Sequence, residues 1–125
     1  MYSFAGIDAK SFKLRSLGPA SGAGSYDDFL RLRQLSPKSR LMLSVGGWAE
    51  GGQKYSDMVA SAQGRASFID SVLDTMDAHD FDGLDLDWEY PGATDRQGRY
   101  ADKANFLKLV QELRQRLDGY AQLAG

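Results

Sequence analysis

Three acidic residues alternate with large apolar residues in one short segment, FDGLDLDWEYPG (81–92). Asp85, Asp87 and Glu89 each stand two positions from the next. Side chains of a β-strand point alternately to opposite faces, so this spacing predicts one acidic face and one apolar face. With a rise of about 3.3 Å per residue, successive acids lie roughly 6–7 Å apart. The predicted apolar face comprises Leu84, Leu86, Trp88 and Tyr90.

The rest of the chain indicates the kind of sheet to which this strand belongs. We expect strands over 1–7, 40–47 and 81–91, helices over 25–36, 54–61, 66–80 and 104–117, and loops over 14–25 and 91–103. Strands that alternate with helices predict a parallel sheet joined by right-handed crossovers and covered by helices. Parallel strands are usually buried on both faces. In a closed parallel barrel, inward residues near the carboxyl ends of the strands line the active site. The acidic face is therefore predicted to be a site rather than a solvated surface.

A metal site is the alternative interpretation of the three acids. Asp-x-Asp-x-Glu imitates the first half of a calcium loop, which needs glycine at its sixth position and glutamate at its twelfth. Those positions hold Tyr90 and Arg96. His79 is the only histidine and lies at the end of a predicted helix, where we expect a surface residue. No metal or cofactor is therefore expected, and a calcium-binding structural segment is kept as an alternative function.

Composition limits the remaining classes. The chain has 125 residues, enough for one domain with a core. Its 15 basic and 17 acidic residues form no basic run, so no nucleic-acid partner is expected. The apolar runs are too short to span a membrane, and the start MYSFAGID does not resemble a signal peptide. Nothing in the sequence indicates an obligate protein partner.

Electrostatics suggests what three crowded carboxylates can do. Like charges in a partly dehydrated interior do not all ionise, so the group retains a proton. Glu89 is the last acid before the strand ends and has the longest side chain, which makes it the candidate proton donor. Asp87 would share the proton or orient the substrate, and Asp85 would act on Asp87. Donation of a proton to a leaving oxygen is the first step of glycoside hydrolysis.

Three segments carry a resemblance to a known family. DGLDLDWE (82–89) resembles the Asp-x-x-Asp-x-Asp-x-Glu signature of glycoside hydrolase family 18, the chitinases. LSVGGW (43–48) and YSFAGI (2–7) are similar to the family's Ser-x-Gly-Gly segment and to the strand before it. The resemblance implies an α/β fold that is a fragment of a (β/α)8 TIM barrel, about strands 2–4, with residues 1–125 as part of a catalytic domain.

The resemblance also implies roles for individual residues. Glu89 would protonate the glycosidic oxygen, Asp87 would bind the N-acetyl group whose carbonyl oxygen attacks the anomeric carbon, and Asp85 would support Asp87. This is the substrate-assisted exception among retaining glycosidases. Asp82 would be structural. The residues implied to bind substrate are Tyr90, Trp48, Gly46, Gly47, Phe4 and Ala49, the last standing where the family often has asparagine.

The implied activity is endo-acting hydrolysis of chitin or chitooligosaccharides outside the cell. The chain lacks the later barrel strands that complete the family's site, so the segment alone is expected to be inactive or nearly so. Two alternatives share the resemblance. One is a chitinase-like lectin, which would not need the proton donor Glu89, and the other is an endo-N-acetylglucosaminidase.

Overall fold

The computed structural model describes residues 1–17 and 25–124. The strands are β1 (Tyr2–Ile7), β2 (Leu14–Ser16), β3 (Met42–Gly46) and β4 (Gly83–Asp87). The helices are α1 (Tyr26–Leu30), α2 (Leu32–Leu35), α3 (Gln53–Val59), α4 (Ala62–Ala78) and α5 (Asp102–Ala124). Two single turns of 3-10 helix cover Trp48–Glu50 and Thr94–Arg96. No helix in the described ranges is both long and apolar enough to cross a bilayer.

The four strands form one sheet in the order β2-β1-β3-β4. Strand β1 pairs with β3 and β3 pairs with β4, both in parallel. The predicted parallel sheet with helices is therefore confirmed, and β4 forms one edge of it. Among the strands of the described residues, only β2 runs antiparallel, against β1.

Strand β2 corrects the prediction of a loop over 14–25. The Asp8 carboxylate accepts hydrogen bonds from the main-chain N–H groups of Lys10 and Ser11. This tight turn brings the chain back, so that Leu14 pairs with Ile7 at the edge of the sheet. The glycine- and proline-rich part of the predicted loop, residues 18–24, lies outside the described residues.

The helices lie where they were predicted, but their first and last residues differ from the predictions. Ser25 caps α1 as expected, and its side chain and that of Asp28 bond each other's main-chain N–H groups. The predicted helix 25–36 is, however, two short helices that meet at Arg31. Helix α4 begins four residues before its prediction, because the Ser61 side chain caps it. His79 ends α4 half-buried, with its ring 5.0 Å from that of Tyr26.

The core lies between the sheet and helices α3, α4 and α5. It contains Tyr2, Ala5, Ile7, Leu43, Val45, Tyr55, Met58, Val59, Phe68, Ile69, Val72, Phe81, Trp88, Leu109 and Leu113. Trp88 is 6% exposed and stacks on Tyr55, and Leu84 and Leu86 pack against the same cluster. Three of the four residues predicted on the apolar face therefore fill the core.

The fourth, Tyr90, does not. Regular pairing in β4 ends at Asp87, and the chain turns where the Ala93 N–H donates to the Tyr90 carbonyl. Gly92 has a φ of 77°, as the third residue of such a turn after proline requires. The alternation of faces therefore stops before Tyr90, whose side chain is 53% exposed. The prediction that Tyr90 shares the Leu84 face is wrong, and so is the extension of the strand to residue 91.

Candidate active site

The pairing of β3 with β4 places two of the three acids beside small residues. Ser44 lies opposite Asp85, and Gly46 lies opposite Asp87. Opposed residues of a sheet share a face, and this is the face away from the helices. The Ser44 hydroxyl donates a hydrogen bond of 2.6 Å to Asp85 Oδ2, so Asp85 is held toward the middle of the sheet.

Glu89 follows the end of β4 and lies on the same side as Asp87. The negative charge of Glu89 raises the pKa of Tyr90, and so does the hydrogen bond between their side chains. Asp87 contributes to the same upward shift, so the Tyr90 hydroxyl lies near both carboxylates. The structure thus brings Asp85, Asp87 and Glu89 together on one half-buried surface.

Asp82, the fourth acid of the motif, lies elsewhere. Its carboxylate accepts a hydrogen bond of 2.7 Å from the Leu41 main-chain N–H and forms an ion pair of 3.1 Å with Arg33. Although burial acts in the opposite direction, the Leu41 N–H and the Arg33 charge leave the pKa of Asp82 below its usual value. Asp82 therefore joins the entrance of β4 to β3, as its structural interpretation requires.

Two aromatic side chains stand beside the acids and are open to solvent. Trp48 is 59% exposed and Tyr90 is 53% exposed, with their ring centroids 6.4 Å apart. Phe4, at 38% exposure, lies below the turn at Gly47. Flat apolar rings next to carboxylates suit a ligand with both hydroxyl groups and apolar faces, such as a sugar. Ala49 is exposed in the same turn and offers no polar side-chain atom.

The two glycines after β3 are required by this geometry. Gly46 and Gly47 have φ angles of 119° and 87°, which side chains disfavour. A Cβ atom on Gly46 would lie 2.3 Å from the Asp87 carbonyl oxygen, and one on Gly47 would lie 3.0 Å from the Phe4 ring. The Gly47 N–H donates to the Asp87 carbonyl over 2.8 Å. The turn therefore passes close against the acid-bearing segment.

Alanine substitution should destabilise the protein at Gly46 but not at a glycine without close neighbours. We expect Gly46→Ala to lower the free energy of unfolding by about 2–4 kcal/mol, because it combines strained φ with a main-chain clash. Gly119→Ala is the matched control, since Gly119 lies in α5 with no neighbour within 4 Å of an added Cβ. It should raise the same free energy by about 0.5–1 kcal/mol. Urea unfolding measures both, and equal midpoints for the two variants would contradict the close approach at Gly46.

Arg96 is a residue of this region that no sequence motif indicated. Its guanidinium carbon lies 3.8 Å from the centroid of the Trp48 ring. Its Nε donates to the Glu89 carbonyl oxygen over 3.2 Å, and a terminal nitrogen donates to the Trp48 carbonyl oxygen. A single arginine in a polar loop carries no sequence signal for such contacts, which only the folded chain creates.

Asp102 was also not selected, and it organises the loop after Glu89. It is 1% exposed and accepts three hydrogen bonds, from the Ser56 hydroxyl at 2.6 Å and the N–H groups of Gly92 and Arg99 at 3.0 and 2.7 Å. Its sequence signal, an acid before an apolar helical pattern, is typical of a helix start. That signal does not predict burial.

A comparison of the whole chain with known protein families shows the family to which it belongs. The family described as glycosyl hydrolases family 18 matches residues 1–124. The chain belongs to this family. The predicted resemblance is therefore confirmed over nearly the whole sequence. Among the described residues of this chain, no group of three His, Asp or Glu side chains could hold a metal ion.

Relatives and solved structures that resemble the chain agree with this assignment. An endochitinase of Manduca sexta is 48% identical over 116 residues, which cover 91% of this chain and 21% of the relative. A Group IV chitinase of Ostrinia furnacalis, solved with allosamidin, matches with a TM-score of 0.85 and 36% identity over 95% of this chain and 32% of the other. Human YKL-39, described as a pseudo-chitinase with retained chitooligosaccharide binding, matches with a TM-score of 0.78 and 30% identity over 97% and 30% of the two chains.

The coverages show how much of its longer relatives this chain spans. The chain spans about a fifth of the curated relative and about a third of the solved chains. Its strands and helices superpose on those of solved chitinases, so the predicted fragment of a (β/α)8 barrel is confirmed. Both β2 and β4 are sheet edges in this segment.

Proposed function

We propose that this chain is the part of a chitinase catalytic domain that carries the proton donor, and that the complete domain hydrolyses β-1,4-linked N-acetylglucosamine polymers. The observation that supports the proposal is the surface on which Glu89, Asp87 and Asp85 lie beside the exposed rings of Trp48 and Tyr90. Carboxylates supply the acid–base chemistry, and the rings supply flat surfaces for pyranose faces.

The chemistry requires one proton donor and one orienting acid. Glu89 donates its proton to the glycosidic oxygen as the bond to the anomeric carbon breaks. Asp87 accepts a hydrogen bond from the N–H of the substrate's acetamido group, so that the acetamido carbonyl oxygen attacks the anomeric carbon. This attack forms a cyclic intermediate. Water then attacks the anomeric carbon of the intermediate while Glu89 takes a proton from that water, which restores the acid and retains the anomeric configuration. Asp85, which accepts a hydrogen bond from the Ser44 hydroxyl, supports Asp87 as its neighbour on the same face of β4.

A chitinase-like lectin is the second candidate. Human YKL-39 is described as a binder of chitooligosaccharides and a pseudo-chitinase, so binding without cleavage occurs on a similar fold. Glu89 favours the enzyme here, because a lectin has no need for a carboxyl group at the leaving oxygen. An endo-N-acetylglucosaminidase would use the same acids on a different glycan. An extracellular place of action, with chitin or chitooligosaccharides as the partner, is part of the same proposal.

A chimera tests the enzyme directly. In the family 18 chimera, residues 1–124 of this chain replace the matching segment of the Manduca sexta endochitinase, whose other strands complete the barrel. We expect the chimera to release a fluorophore from a chitooligosaccharide glycoside at a rate comparable to that of the intact relative. The 125-residue chain alone should release little or none, because its sheet ends at β4. A folded chimera that binds chitooligosaccharides without cleaving them would contradict the enzyme and support the lectin.

A further inference from the structure

Trp48 has little support from its own segment. It begins a three-residue 3-10 turn, and 59% of its surface is exposed. The glycines on both sides of this turn, Gly47 and Gly51, have positive φ angles of 87° and 73°. Glycine-rich turns populate several conformations unless other contacts restrict them. The orientation of the Trp48 ring must therefore be fixed from outside the turn.

Besides the Tyr90 ring, whose centroid lies 6.4 Å from that of Trp48, Arg96 supplies contacts from outside the turn. Its guanidinium lies over the indole, with Cζ 3.8 Å from the ring centroid, while separate nitrogens donate to the carbonyl oxygens of Trp48 and Glu89. A guanidinium is planar and carries five donors in a fixed fork, so it can stack on a ring and bond two carbonyls together. Lysine has no such fork. The half-buried Arg96 side chain thus connects Trp48 to the main chain of Glu89.

The Arg96 main chain is itself fixed against the Trp48 turn. A Cβ atom on Gly52 would lie 2.1 Å from the Arg96 carbonyl oxygen, so the two loops touch at this point. The Arg96 N–H donates to the Ala93 carbonyl over 2.9 Å, which closes the turn that carries it. The guanidinium therefore starts from an anchored position and does not have to be ordered by a ligand.

We propose that Arg96 is a positioning residue of the sugar site: it holds Trp48 at a fixed orientation and distance from Glu89 before any ligand arrives. The inference rests on the proposed function for its ligand, a chitooligosaccharide, and on the contacts above for its geometry. Because Arg96 covers one face of the indole, the sugar ring stacks on the opposite face. A site arranged in advance binds more tightly and reacts faster, since the ordering cost is not taken from binding.

The chain's two tryptophans make the first test possible without a ligand. Each indole N–H gives one signal in a ¹H–¹⁵N spectrum, and Trp48→Phe identifies that of Trp48. Arg96→Gln should shift this signal and lower its heteronuclear NOE. Arg96→Lys should do nearly the same, because an ammonium has no planar fork that stacks on the ring while it bonds both carbonyls. Arg99→Gln is the control. Arg99 lies in the same loop as Arg96 but pairs with Asp57, so this variant should leave the Trp48 signal in place. An unchanged Trp48 signal in Arg96→Gln would overturn the proposal.

The second test uses the family 18 chimera and separates this inference from the proposed function. Arg96→Gln and Arg96→Lys should each lower kcat/KM by about tenfold, with most of the change in KM, because the aromatic face is lost from binding. Arg99→Gln should leave both constants unchanged. If Trp48 loosens in Arg96→Gln while even the unaltered chimera neither binds nor cleaves chitooligosaccharides, the role of Arg96 is upheld and the proposed function is contradicted. If the unaltered chimera is active and Arg96→Gln matches it, Arg96 does not position the site.

Discussion

Glu89→Gln in the family 18 chimera is expected to lower the rate of chitooligosaccharide hydrolysis by about 10²–10⁴-fold, the usual contribution of a general acid. Glutamine has nearly the same shape as glutamate but cannot donate a carboxyl proton to the leaving oxygen. Its amide can still bond the Tyr90 hydroxyl, which lies beside Glu89 in this structure. Binding of the oligosaccharide should therefore change little.

Kinetics and calorimetry on the same preparations check this result. Asp95→Asn is the matched control, because Asp95 is an exposed acid in the turn Thr94–Arg96, a few residues from Glu89. It should keep both turnover and binding. If Glu89→Gln retains the turnover of the chimera, Glu89 is not the proton donor. If it loses binding together with turnover, its role is structural.

Asp102→Ala should have the largest effect on stability. We expect it to lower the free energy of unfolding by about 3–5 kcal/mol, because it leaves three hydrogen-bond donors without their acceptor. These donors are the Ser56 hydroxyl and the N–H groups of Gly92 and Arg99. The loop between Tyr90 and α5 depends on them, so Arg96 should lose its position as well.

Urea unfolding measures this loss, with Asp118→Ala as the matched control in the same helix. Asp118 is 59% exposed and pairs with Arg114, also exposed, so its removal should cost less than about 1 kcal/mol. Asp102→Asn should fall between the two, since its one amide oxygen can satisfy only part of the set. Equal midpoints for Asp102→Ala and Asp118→Ala would show that the buried carboxylate does not stabilise the loop.

Local patterns predicted the parts of the fold that depend on local physics. The alternation of Leu84, Asp85, Leu86 and Asp87 set the two faces of β4 correctly, because strand geometry alone determines it. Strand β2 was missed because three residues hold too little pattern, and only pairing with β1 defines them. Tyr90 was placed on the wrong face because the prediction continued the alternation past the point where the chain turns.

The candidate site divides in the same way. The three acids were selected from their residue types and spacing, and the glycines of the turn from the family resemblance. Their roles stay predictions. Arg96 and Asp102 were not selected, because they contact Trp48 and Ser56, which lie 48 and 46 positions away in the sequence. A polar loop shows no periodicity from which such partners could be inferred.

A crystal structure of the Glu89→Gln chimera with a bound chitooligosaccharide would show where the sugar lies relative to the three acids. We expect the side chain at position 89 to lie within hydrogen-bond distance of the glycosidic oxygen and Asp87 to contact the acetamido N–H. We also expect a sugar ring on the face of Trp48 that Arg96 leaves open. An oligosaccharide seated elsewhere, with these acids turned away from its glycosidic bonds, would show that the acidic surface is not a hydrolytic site.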